Sequence, residues 1–168
     1  MKIKHYIFLF VIVTTFVSCG VYSFTGASVG ANTKTFQVNY FQNNAILVEP
    51  GLDLLFTNTL FDLLQNQTNL NPVKSNGDLV YEGEITQYRI SPTTATSANT
   101  AAQNRLTIAV KVHFYDKYDE DAEFDQTFSF FYDYPGSSQL VGSQKVTAYE
   151  EIFERITQDI FNASLAKW

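Results

Sequence analysis

From Arg105 to Tyr115 apolar and polar residues alternate along the chain. Leu106, Ile108, Val110, Val112 and Phe114 fall on one side; Arg105, Thr107, Lys111 and His113, with Ala109, fall on the other. A period of two predicts a strand with one face buried. The same pattern runs from Leu79 to Ile90, where Tyr81 and Ile85 oppose Glu82, Glu84 and Thr86. It recurs from Phe124 to Tyr134, where Phe124, Phe128, Phe130 and Tyr132 share a side. A further strand is expected from Lys34 to Gln42, with Phe36, Val38 and Tyr40 set against Thr35, Gln37 and Asn39.

Two segments change period. Leu52, Leu55, Phe56, Thr59, Leu60 and Leu63 recur at three- and four-residue spacing, as an amphipathic helix requires. Pro50 suits its first turn, and the helix should stop near Asn66. The last helix is expected from about Ala148 to Leu165, with Tyr149, Ile152, Phe153, Ile156, Ile160 and Ala163 as its apolar stripe. Thr147 and Glu150 have the spacing of a capping box. Asn71-Pro72 and Asn76-Gly77 mark turns between the first helix and the strand at Leu79.

The order is therefore strand, helix, three strands, helix. Consecutive strands joined by loops suggest an antiparallel meander, which the first strand can join after the helical crossover. Each helix has one apolar stripe, so both should cover the same face of the sheet. The expectation is a two-layer α+β domain with a four-stranded mixed or antiparallel sheet.

The N-terminus carries a different pattern. Lys2 and Lys4 precede the apolar run Tyr6 to Val13, and Phe16-Val17-Ser18-Cys19-Gly20 follows. A positive start, a short apolar stretch and a small residue before a cleavage point make a secretory signal. The run is too short to span a bilayer core. Cys19, the one cysteine in the chain, stands where the lipobox of bacterial lipoproteins places its acylated residue. The alternative is a plain signal with a buried cysteine. On the lipoprotein reading, residues 1–18 are removed, residues 19–33 form a lipidated tether, and residues 34–168 form a single domain. More than one acyl chain anchors stably. By the sorting rule of such lipoproteins, the absence of Asp after Cys19 favours the outer membrane, and the lack of an acidic run there favours its periplasmic face.

Loss of Lys2 and Lys4 with the signal takes the formal net charge from −6 to −8. An acidic balance argues against nucleic acid as a partner. With Cys19 acylated no thiol remains for a disulfide, and no cofactor is expected beyond that covalent lipid. Two loops stand out. Ser91 to Asn104 is long and polar, and such loops are functional or disordered. Asp116 to Asp125 concentrates carboxylates; a solvated hairpin turn explains them better than a calcium site, since the glycine of an EF-hand loop is absent.

Catalysis finds little support. His5 leaves with the signal, so His113 is the only histidine of the mature chain. Zinc ligand spacing is absent, as are a glycine-framed serine and a phosphate-cradling glycine loop. The chain reads as no enzyme.

The stretch Cys19-Gly20-Val21-Tyr22-Ser23-Phe24-Thr25-Gly26 resembles the opening of the lipopolysaccharide-assembly lipoproteins, the LptE family, through Cys19, Gly20, Tyr22, Phe24 and Gly26. The size, the signal and the order of elements are similar too, and the aromatic-rich, base-poor composition resembles the Bacteroidota-like branch. The resemblance implies a protein at the inner leaflet of the outer membrane that plugs the LptD β-barrel translocon, assists its assembly and helps deliver lipopolysaccharide to the surface. Arg89, Arg105 and Lys111 are the basic residues on the central strands and the candidates for lipopolysaccharide contact, with ordinary surface charge as the other explanation. The Ser91 to Asn104 loop is the expected segment inside the barrel lumen. Two other readings share the anchor: an auxiliary lipoprotein of another envelope lipid ABC transport system, and a lipoprotein enzyme acting on the cell wall.

Overall fold

The computed structural model describes residues 29–93, 103–136 and 138–166. The strands are β1 (Thr35–Val38), β2 (Gln42–Asn43), β3 (Asn71–Pro72), β4 (Leu79–Thr93), β5 (Gln103–Asp116) and β6 (Phe124–Pro135); the helices are α1 (Leu52–Gln67) and α2 (Gly142–Leu165). The architecture is α+β, as expected. The sheet has six strands rather than four, in the order β3-β1-β4-β5-β6, with β2 also pairing with β4. β1 and β2 run parallel to β4, and β1 is also parallel to β3. β4, β5 and β6 form the antiparallel meander.

The two additional strands have local causes. The segment expected as one strand over Lys34 to Gln42 breaks into β1 and β2, and the break turns the Phe41 ring into the core, where it is fully buried. The ring lies under Gly83, whose position in β4 has no room for a side chain: an added Cβ would come within 2.9 Å of Phe41 and 2.0 Å of the Lys111 carbonyl oxygen. Asn71-Pro72, expected only as a turn, adds two residues to the edge of the sheet beside Thr35 and Phe36. An edge is where a strand proline is tolerated, because it has no N–H to donate.

The β5 alternation holds throughout: Leu106, Ile108, Val110, Val112 and Phe114 are all fully buried. β4 does not keep one phase. Leu79, Tyr81 and Ile85 face the core, opposite Asp116, Phe114 and Val110. An irregularity at Thr86 then shifts the register, so that Tyr88 pairs with Ile108 and packs against the core while Gln87 turns outward. A one-residue bulge has this effect because it swaps the two faces of all that follows.

Both helices cover one face. α1 packs Phe56 on Phe41 and Phe61 on Phe36, with ring centroids 5.0 and 5.6 Å apart, so it runs antiparallel to β1. α2 places Tyr149 beside Tyr88 and Ser164 beside Tyr81, so it runs antiparallel to β4. The two helices are therefore parallel to each other, joined by the edge-on Phe56–Phe153 contact at 5.2 Å.

Their starts differ from expectation. α1 begins at Leu52, after Gly51 in the left-handed conformation at φ 81°, and Pro50 stays outside it. α2 begins at Gly142, so Thr147 and Glu150 lie inside it and form no cap. Nothing between Ser143 and Val146 breaks a helix, so the first turns extend ahead of the buried stripe, tied to the segment before α1 by the Lys145–Glu49 ion pair. The buried stripe of α2 takes in Ala148, Phe161, Ser164 and Leu165; Ala163 is exposed. Ahead of β1, Val29 packs against the core and Thr33 is buried. No helix among the described residues is long and apolar enough to cross a membrane.

Candidate functional site

With both helices on one side, the other face of the sheet is left open. Its side chains come from the polar positions of the alternation, arranged in cross-strand rows. Glu82, His113 and Asp125 make one row; Glu84, Lys111 and Thr127 the next; Gln87, Ala109 and Ser129 the third; Arg89, Thr107 and Phe131 the fourth; and Ser91, Arg105 and Asp133 the fifth, with Thr93, Gln103 and Pro135 beyond it. The three basic residues singled out from sequence thus share this face, held there by strand register.

They are not equivalent. Arg105 donates from Nε and Nη2 to the two carboxylate oxygens of Asp133, both at 2.7 Å. Its guanidinium carbon lies 3.6 Å from the Phe131 ring centroid. The fork geometry and the aromatic face suit arginine and would not suit lysine. The hydrogen bond from Arg105 holds the Asp133 carboxyl below the usual carboxylate range, and the same bond raises the Arg105 guanidinium. Lys111 Nζ lies 3.1 Å from Asp125 Oδ2, and His113 Nε2 reaches the same oxygen at 3.0 Å. His113 also stacks on Tyr115, with ring centroids 5.3 Å apart and the planes nearly parallel. Arg89 is exposed and forms no ion pair with a described residue.

Between β2 and this face lies an open cleft of about 380 Å³, lined by Asn39, Tyr40, Glu82, Glu84, Lys111 and His113 among others. Asn39 Nδ2 donates to Glu82 Oε2 at 3.0 Å, and Gln37 Nε2 donates to Asn39 Oδ1 at 2.6 Å. The face as a whole offers amides, carboxylates and paired charges to a polar partner. Sequence reasoning placed the basic residues but missed their partners Asp125 and Asp133. The signal was available in the polar phase of β6, but not the register that sets Asp125 opposite His113 and Asp133 opposite Arg105.

At the end of the sheet where the chain enters, Asp78 ties β1 to β4. Its Oδ2 accepts from the backbone N–H of Lys34 at 3.0 Å and of Thr35 at 3.1 Å, and from the Thr35 hydroxyl at 2.9 Å. The backbone bond from Lys34, then the Thr35 hydroxyl, hold its carboxyl below the usual range.

The remaining sequence expectations fall as follows. Cys19, Gly20, Tyr22, Phe24 and Gly26 lie outside the described residues. Of the expected loop from Ser91 to Asn104, Ser91 to Thr93 belong to β4 and Gln103 and Asn104 to β5; residues 94–102 lie outside the described residues. The acidic segment contains a single 3-10 turn, Glu120–Ala122. Among the described residues no group of three or more His, Cys, Asp or Glu side chains is placed to hold a metal ion.

Comparison with known proteins gives the fold its relatives. A hypothetical protein from Chlamydia trachomatis superposes with a TM-score of 0.52 at 12% identity, over 80% of this chain and 99% of that one. A protein from Xanthomonas campestris gives 0.50 at 10% identity, over 80% and 87%. A minor lipoprotein from Acinetobacter baumannii gives 0.48 at 12% identity, over 80% and 96%. The first two share the fold. No curated protein matches the chain. The sequence model of one family, described as lipopolysaccharide-assembly, matches residues 33–164, from two residues ahead of β1 to the last turn of α2. The chain belongs to the lipopolysaccharide-assembly LptE family.

Proposed function

We propose that this protein is an outer-membrane lipoprotein, acylated at Cys19 and held at the periplasmic face, that plugs the LptD-type β-barrel translocon and assists its assembly. The role is non-catalytic. The observation that carries this reading beyond family membership is the open sheet face. A barrel lumen is polar, and a plug must present polar, largely neutralised surface to it. Here Arg105 is matched by Asp133, and Lys111 by Asp125. Because those two charges already have partners, direct contact with lipopolysaccharide phosphates on this face falls first to Arg89.

The test is purification from detergent-solubilised outer membranes with photo-crosslinkers at Thr127 and Ser129 on the open face, at Thr96 and Asn99 in the β4–β5 connection, and at Glu154 on the exposed side of α2. Capture of an LptD-type barrel from the open-face and connection sites, with none from Glu154, is the expected result. Co-purification of an inner-membrane ATPase complex in its place would overturn the reading in favour of an ABC-transport auxiliary. Cys19→Ser should abolish membrane retention.

A further inference from the structure

Between β2 and α1 the chain exposes three consecutive apolar residues. Ile46 is fully exposed, Leu47 is 59% exposed and Val48 is 64% exposed. Exposed apolar residues scattered singly need no explanation, whereas a contiguous set marks an interaction site. This set is wider than the loop. Glu49 forms an ion pair with Lys145, which brings the loop beside the first turns of α2, where Val141 and Val146 are also exposed. No charged residue occurs from Asn39 to Val48, and the first charges beyond, Glu49 and Lys145, neutralise one another.

Sheet register fixes where this tip sits. β2 follows β1 along the direction of β4: Val38 pairs with Tyr81, and Asn43 with Ile85. Strand pairing also aligns Thr93, Gln103 and Pro135 at one end of the sheet. The ends of the β4–β5 connection and the approach to α2 therefore lie together, and the tip lies toward them. The chain enters at the opposite end, where Val29 to Thr33 line a cleft with Leu79, Asp116 and Leu165. β4 has 15 residues, so the two ends are about 50 Å apart at about 3.3 Å per residue.

Position and chemistry together select the occupant. A tip at the end remote from the tether points away from the anchoring leaflet and, in a plug, leads into the barrel. The barrel wall does not suit it, because the strands turn their polar residues to the lumen. A second copy seated on the tip would keep this end out of the lumen altogether. The long extracellular loops of a barrel remain. They are free of the strands' alternation, they fold into the lumen of some barrels, and they lie on the side of the membrane toward which the tip points.

We propose that Ile46, Leu47 and Val48, with Val141 and Val146 beside them, anchor the domain to an apolar segment of a barrel loop folded into the lumen. The proposal rests on the plug reading above and assigns its two surfaces different roles. The open sheet face fits the wall by polarity and matched charge. The tip supplies the desolvated apolar centre that dominates the affinity of an interface, with the neutral Glu49–Lys145 pair at its rim. It also sets depth, since a loop reaching in from outside meets the tip only when the domain is fully inserted.

A photo-crosslinking residue is placed at Ile46 or at Thr127 in the full acylated chain, expressed with its barrel partner, and the products are mapped by peptide mass spectrometry. Position 46 should join peptides of an extracellular loop, and position 127 peptides of the wall strands. Capture from 127 without capture from 46 leaves the plug standing and overturns the anchor. So does capture from 46 onto wall strands, onto a second copy or onto lipid. Capture from 46 onto a loop without capture from 127 supports the anchor and moves the wall contact off the open face. Capture from neither position overturns the plug reading, and the proposal with it. Leu47→Asp adds a quantitative arm. The side chain is exposed, so the Tm should hold while the barrel recovered with the protein from detergent falls at least about tenfold; Leu47→Met should preserve recovery. Undiminished recovery with Leu47→Asp overturns the anchor.

Discussion

The Tyr81 hydroxyl donates to Ser164 Oγ at 2.9 Å, joining the second face-inward position of β4 to the last turn of α2 across 83 residues of sequence. Both groups are buried. The Ser164 hydroxyl in turn donates to the Ile160 carbonyl at 2.8 Å, so the pair forms a short chain with every polar atom satisfied. Burial drives the Tyr81 phenol well above its ordinary pKa, and it stays a donor across the accessible pH range.

The two ends of this bond should not cost the same to remove. Tyr81→Phe deletes the donor and its hydroxyl together and should lose about 0.5–1.5 kcal/mol. Ser164→Ala strands the Tyr81 hydroxyl in an apolar core, and a buried unsatisfied group costs about 1–3 kcal/mol. Urea unfolding of the two variants checks the order.

The rings of Phe41, Phe56 and Phe153 form a chain from the sheet through α1 to α2. Truncating the middle ring removes contacts on both sides and leaves a cavity that fixed backbones cannot close. Phe56→Ala should destabilise by about 3–5 kcal/mol, measured the same way.

Gly83 has no room for a methyl group between Phe41 and the Lys111 carbonyl. Gly83→Ala must move the ring or the β4–β5 pairing and should cost about 1–3 kcal/mol, typical of overpacking. Combining it with Phe41→Leu should recover part of that loss, which a double-mutant cycle would detect.

Asp78 supplies an acid-sensitive clasp. Its folded pKa lies below its unfolded value, so its contribution is complete at pH values above the ordinary aspartate range and is lost as pH falls through the folded value. Asp78→Asn should lower the Tm at pH 7 and shrink the difference between wild type and variant as the pH drops below about 4. A difference that grew on acidification would contradict this assignment.

How far the sequence could be read depended on length. β5 carries 14 residues of near-uninterrupted alternation, and every inward position was legible. β2 and β3 carry two residues each, too few for a period, so their pairing depends on tertiary contacts that no local pattern encodes. The bulge at Thr86 was hidden for a related reason: Glu82, Glu84 and Thr86 look like one polar phase until Tyr88, and only the partner strand reveals the shift. Likewise Thr147 and Glu150 have the right spacing for a cap, but a chain able to continue the helix toward Gly142 overrides it. On the open face, alternation was enough to put Arg105 and Lys111 together; Arg89 joins them only through the bulge at Thr86, and register decided which of the three would be neutralised. The Cys19 to Gly26 opening was readable only as sequence, since it lies outside the described residues.

The parallel alignment of α1 and α2 has an electrical consequence. In an antiparallel helix pair the peptide dipoles oppose and cancel; here they add. Each helix carries about half an elementary positive charge at its start, and neither start is capped by a side chain. The Glu49–Lys145 pair shows that the two starts are neighbours. Asp53 in the first turn of α1 offsets one of these starts, whereas the first turn of α2 carries no acidic residue; a strongly acidic protein thus keeps backbone N–H groups with positive character at the start of α2, at the end of the helical layer remote from the point where the tether enters.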